Sequence, residues 1–80
     1  MIDRLAMFMV LARTEHFGRA AEACFVSQPT LSVAIKKLED ELGVEIFIRR
    51  GKRLLGMTEP GKALLTIAER ILDEAGKVRR

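Results

Sequence analysis

Apolar positions recur along this chain with a helical period in most segments and a strand-like pattern in one. In LAMFMVLA, residues 5 to 12, Leu5, Phe8, Leu11 and Ala12 fall at helical spacing, and Met7, Met9 and Val10 extend the apolar surface to other sides. This predicts a first helix wrapped on more than one side, from an N-cap at Asp3 to Arg13 or Thr14. A thinner stripe of Ala20, Ala21 and Cys24 predicts a short second helix over about Gly18 to Cys24, with side chains small enough for another helix to approach closely. Leu31, Ile35, Leu38 and Leu42 step by four, three and four, so they line one face of a third helix. That helix starts near Ser27 or Gln28 and ends at Leu42, with Gly43 in the place of a left-handed C-cap. Pro29 is compatible with it only in the first turn, where backbone N–H groups lack helical acceptors.

Beyond residue 43 the pattern changes. VEIFIRR and RLLGMT are β-prone runs on either side of Gly51 and Lys52, which predicts a small hairpin. Thr58 then caps a last helix with Pro60 in its first turn. Along it Leu64, Ala68, Ile71, Ala75 and Val78 repeat by four and three, the spacing of a coiled-coil seam. From Thr58 to the C-terminus this helix would span roughly 34 Å at 1.5 Å per residue. The start of the seam can pack on the first helix, but the part after Ile71 has no evident cover within the chain. A second copy is therefore expected against it.

Composition narrows the possibilities. Eighty residues make one small domain. Hydrophobic residues are 49% of the chain and aromatics only 5%, with no Trp or Tyr, so the core is expected to be aliphatic. The Met7, Met9 and Met57 side chains read as core filler. A lone cysteine, Cys24, cannot form an intrachain disulfide, which fits a reducing cytoplasm; on the small-residue face it reads as a buried hydrophobe and not as a redox switch. No run of eighteen apolar residues and no signal-like start suggest membrane insertion or export. One His and one Cys are too few for a structural zinc site, and neither GxxxxGK[ST] nor HExxH occurs. No cofactor, membrane association or enzymatic activity is expected.

Charge placement gives the first functional signal. At 100° per residue, the face of the third helix opposite its aliphatic stripe carries Pro29, Val33, Lys36, Lys37 and Asp40, flanked by Thr30 and Ser32. Acid is confined to Glu39, Asp40 and Glu41 near the C-terminal end. Gln28, Thr30 and Ser32 are residue types that reach base edges or phosphates, and Lys36 and Lys37 can neutralise phosphates. The N-terminus of a helix also favours an anion. Taken alone, such a polar face could be ordinary capping chemistry on a surface helix. Its neighbours shift the balance. A short helix, a tight turn and this helix make a helix-turn-helix. The hairpin sequence RRGKR, residues 49 to 53, has four basic residues among five, against a net charge of +3 for the whole chain. One loop beside the reading helix thus accounts for the net positive charge, and it suits phosphates or a minor groove.

The combination of HFGRAAEACFVSQPTLS at 16 to 32, LEDELGVEIFIRR at 38 to 50 and MTEPGKALLTIAERIL at 57 to 72 resembles the DNA-binding domain of LysR-type transcriptional regulators over nearly the whole chain. HFGRAAEAC and SQPTLSVAIKKLEDELGV are similar to the peroxide-sensing branch, and IFIRRGKRLLGMTEPGK to regulators of cysteine biosynthesis. The resemblance implies a mainly α fold: a winged helix-turn-helix with a three-helix core and a two-stranded wing over residues 1–58. A linker and dimerisation helix follows over 59–80. The family's large effector-binding domain has no counterpart in this chain. As implied function, the domain binds double-stranded operator DNA as a homodimer on a dyad-related site, with higher oligomers possible in a full-length protein. Its DNA-binding residues map onto Ser27, Gln28, Pro29, Thr30 and Ser32, and onto Arg49, Arg50, Lys52 and Arg53 in the wing. Where Val33 stands many members carry a long polar residue, so a thymine methyl contact or little contribution is expected there in place of a hydrogen bond. Arg19, at the start of the second helix, joins Lys36 and Lys37 as a candidate phosphate contact. His16 is expected to be exposed.

Two other functions compete with DNA binding. A winged helix that docks a protein partner should display an aromatic or aliphatic hot spot, whereas the four Phe residues fall at core-like spacings. Catalysis lacks any nucleophile–base or metal constellation.

Overall fold

The computed structural model describes residues 4–51 and 53–75, with side chains described as far as Leu72. Its elements run α1 (Arg4–Thr14), α2 (Phe17–Cys24), α3 (Gln28–Leu42), β1 (Phe47–Arg50), β2 (Arg53–Met57) and α4 (Glu59–Ala75). These match the expected order, and α2 begins one residue before the expected Gly18. The N-cap assigned to Asp3 lies outside the described residues. The three N-terminal helices pack on one another, α4 lies against α1 and β2, and β1 and β2 form an antiparallel hairpin.

Each helix start has a local cause. His16 caps α2 in extended backbone, its Nδ1 accepting the N–H of Arg19 at 3.0 Å. Ser27 caps α3, its Oγ accepting the N–H of Thr30 at 3.1 Å, and Pro29 lies in the first turn. Thr58 caps α4, its Oγ1 accepting the N–H of Gly61 at 3.0 Å. At the other end of α3, Gly43 takes φ 73° and its N–H closes on the Glu39 carbonyl. A residue with a Cβ would resist that left-handed conformation.

Phe8, Leu11, Leu31, Ile35 and Ile46 are fully buried, and Met7, Met9, Ala20, Ala21, Cys24, Phe47 and Ala68 complete the core. Phe8 and Phe47 meet with ring centroids 5.7 Å apart at a tilt of 57°, joining α1 to the wing. Burial raises the Cys24 thiol pKa, consistent with an unreactive hydrophobe. Among the described glycines, Gly61 has the least room: a Cβ there would overlap the Ile46 carbonyl oxygen. Only glycine lets the first turn of α4 reach the strand.

Three expectations need correction. Leu42, assigned to the buried stripe of α3, is 47% exposed, and Glu39 is buried in its stead. The strand entering the wing packs one turn earlier than the stripe suggests, because Ile46 donates its N–H to the Glu39 carboxylate. Phe25 does not join the other Phe residues in or beside the core. It is 91% exposed at the turn after α2, in a left-handed conformation of φ 60°. The inward face of α4 runs through Leu64, Leu65, Ala68 and Leu72, whereas Ile71 of the expected seam is 52% exposed beside Ile67 at 51%. The side chains of Ala75 and Val78 lie outside those described.

Candidate nucleic-acid interface

Three structural elements converge on one side of the molecule: the start of α2, the start of α3 and the hairpin. One cleft is lined by Phe17 of α2, by Gln28, Pro29 and Ser32 of α3, and by Arg49 and Gly51 of the wing. A second is lined by Glu15, His16, Phe17 and Gly18, by Gln28, and by Arg53 and Leu54. Gln28 lines both, and its Oε1 lies 3.8 Å from where a Cβ on Gly18 would stand.

The cap of α3 also sets its hydrogen-bond chemistry. The Ser27 hydroxyl accepts the Thr30 N–H and donates its own proton to Thr30 Oγ1 at 2.8 Å. Thr30's hydroxyl proton is thereby directed to a further acceptor, and Ser27 is committed to the helix cap. Thr30, Val33 and Lys37 line a groove on the opposite flank, shared with Arg4 and Glu41, which form an ion pair at 2.8 Å. The outward side of α3 thus offers Gln28, Pro29 and Ser32 towards the wing and Thr30, Val33 and Lys37 away from it. Val33 is 55% exposed. Lys36 is exposed and pairs with Asp40 at 3.5 Å one turn on, a solvated contact worth little by itself. Arg19 is exposed on α2.

In the wing, Arg50 and Arg53 are directly paired across the strands. Ile48 pairs with Gly56 and Arg49 with Leu54, so Leu55 is an extra residue in β2, a bulge that bends the ribbon. Lys52 lies outside the described residues. Arg49 differs from its basic neighbours. Its guanidinium turns inward, with Nη2 3.2 Å from Glu39 Oε1 and Cζ 5.6 Å from the centroid of the Phe17 ring.

Glu39, His16 and Phe17 have structural roles at this site that the sequence reading did not assign. Glu39 lies four residues after Ile35 and eight after Leu31, so a charged side chain falls on the apolar stripe; that spacing is the signal that could have marked it.

Residues 2–62 match the family model of bacterial regulatory helix-turn-helix proteins of the lysR family. The chain belongs to the LysR family. The HTH-type transcriptional regulator cbl of Escherichia coli strain K12 is 72% identical over 79 residues, covering 98% of this chain and 25% of cbl. This LysR chain spans about a quarter of the length of such curated relatives. Among solved structures, a full-length OxyR from Pseudomonas aeruginosa superposes with a TM-score of 0.84 at 49% identity, over 95% of this chain and 25% of that one. The CbnR DNA-binding domain in complex with DNA gives a TM-score of 0.84 at 33% identity, over 94% of this chain and 85% of that one. The four helices and antiparallel wing of the LysR chain are thus those of LysR DNA-binding domains.

Proposed function

We propose that this chain is the DNA-binding portion of a bacterial LysR-type transcription regulator acting in the cytoplasm. It binds double-stranded DNA sequence-specifically. The observation that carries the reading is the shared cleft: the capped, acid-free start of α3 and the arginine-bearing wing open onto the same space. A major groove admits an α-helix, and a wing beside that helix meets the flanking backbone or minor groove. Gln28, Thr30 and Ser32 would meet base edges, Pro29 and Val33 apolar base surfaces, and Arg19, Lys36, Lys37, Arg50, Lys52 and Arg53 phosphates or the minor groove. Similarity to a DNA-bound relative supports this assignment. Relatives named as transcriptional regulators favour binding over catalysis, with no cofactor in this portion.

A second copy completes the reading. Ile67 and Ile71, four residues apart on α4 and half exposed, form an apolar strip that a homodimer would bury. Two-fold symmetry would then place two α3 helices in successive major grooves. Selection of bound sites from random duplex DNA tests both statements. A two-fold motif with half-sites about one helical turn or a multiple apart supports them, and recovery of no motif at moderate salt refutes sequence-specific binding.

A further inference from the structure

The segment 45–47, which leads into the wing, is gripped from two sides. On one, the buried Glu39 carboxylate accepts the N–H groups of Ile46 at 2.8 Å and Phe47 at 3.3 Å through Oε2, while its Oε1 meets Arg49. On the other, Thr58 donates its hydroxyl proton to the Glu45 carbonyl at 2.6 Å and its N–H to the Ile46 carbonyl at 2.9 Å. Arg49 then extends from the carboxylate to the Phe17 ring on α2. One carboxylate therefore ties α3, the root of the wing and, through Arg49, the start of α2. A buried acid with one side chain partner and two backbone donors is stable only while all of them are present.

We propose that Glu39 is a positioning residue for DNA binding and that Arg49 serves as a strut, not a phosphate contact. Together they set the angle between the wing and α3, so that Arg50 and Arg53 reach the duplex when α3 is seated. The inference rests on the DNA-binding reading above and names how its two contact elements are held in register. Arg49's geometry supports it: the guanidinium is engaged by a carboxylate and a ring, whereas Arg50 and Arg53, cross-strand partners, have no carboxylate assigned to them among the described residues.

The test compares Glu39→Gln, Arg49→Gln and Arg50→Ala in the 80-residue chain, on its selected duplex and on an unrelated one. Glu39→Gln removes the charge that holds Arg49 and sets an amide beside donors. It should weaken specific binding about tenfold and lower the salt slope, because Arg50 and Arg53 lose their seat on the duplex together. Hydroxyl-radical protection should fade where the wing lies, with base protection under α3 retained. Loss of fold alone would erase both footprints together. Arg49→Gln keeps a donor towards Glu39 and covers the case in which Glu39→Gln fails to fold: added to an Arg50→Ala, Arg53→Ala background, where the wing contacts are already gone, it should leave the salt slope unchanged. Arg50→Ala should lower the slope by about one. A further drop of about one on adding Arg49→Gln to that background, or a full wing footprint in a folded Glu39→Gln, would overturn the proposal. If the wild type shows no preference between the duplexes, the DNA-binding reading fails first, and the comparison separates the two outcomes.

Discussion

Arg50 and Arg53 are direct cross-strand partners at the end of the wing, so two cationic side chains leave the same face of the ribbon, with no carboxylate assigned to either among the described residues. Like charges opposite one another weaken a hairpin. An arrangement that the isolated fold disfavours is explained by a partner that carries the opposite charge. Arg50→Ala and Arg53→Ala are therefore expected to leave the melting temperature unchanged or raise it slightly. Each should weaken binding to specific and unrelated duplexes alike and lower the salt slope by about one. Anisotropy titrations over a range of salt, with thermal melts by circular dichroism, check both halves. An unchanged slope would mean that the side chain touches no phosphate.

Ser27 and Thr30 share a hydrogen-bonded pair, yet their substitutions should separate. Ser27→Ala removes the acceptor for the Thr30 N–H and should destabilise the fold by about 1 kcal/mol. Thr30→Ala leaves that cap in place and should cost operator affinity roughly 1–3 kcal/mol with relaxed base preference. Chemical denaturation and binding at matched salt distinguish them. Equal stability losses without any change in base preference would remove Thr30 from the reading surface.

Phe25 illustrates what the sequence conceals. Its left-handed conformation closes the turn after α2, its N–H donating to the Glu22 carbonyl at 3.1 Å, while its ring is almost wholly in solvent. Phe25→Gly removes a Cβ penalty and gives up little burial. It should raise stability by up to about 1 kcal/mol, less the greater freedom of glycine in the unfolded chain. A loss above that size in denaturant titrations would show that the ring packs in solution.

Much of the fold was legible from periodicity and caps, because Ser27, Gly43, Pro29 and Thr58 each act on backbone within a few residues. The core stripe of α3 was legible as far as Leu38. It failed at Glu39 and Leu42 because the strand that packs there arrives from residues 46 and 47, and a local pattern cannot report which donors that strand will present. The hairpin was legible from its β-prone runs and its basic character from RRGKR, but not which arginine meets Glu39. Arg49 and Arg50 are neighbours in sequence, and only the alternation of the strand sends one to Glu39 and leaves the other outside. For Phe25, helical spacing suggested core packing, and the turn geometry reversed it.

The apolar strip on α4 leads to a prediction about assembly. Ile71→Asp puts a charge on a position that is 52% exposed in the single chain, so the fold should survive. Operator affinity should fall sharply, and binding to a single half-site much less. Sedimentation on a full two-fold site should give two wild-type chains per duplex. One chain per site with wild-type affinity would exclude the dimer.

Selection from random duplex DNA, run in parallel with the wild type, Gln28→Ala and Arg53→Ala, tests the central assignment most directly. Gln28 opens α3 and lines both clefts, so its loss should erase preference at one symmetric pair of positions, while the Arg53 variant should return the wild-type motif at lower affinity. An unaltered motif from Gln28→Ala, at matched salt and with its fold intact, would contradict the placement of the α3 start in the major groove.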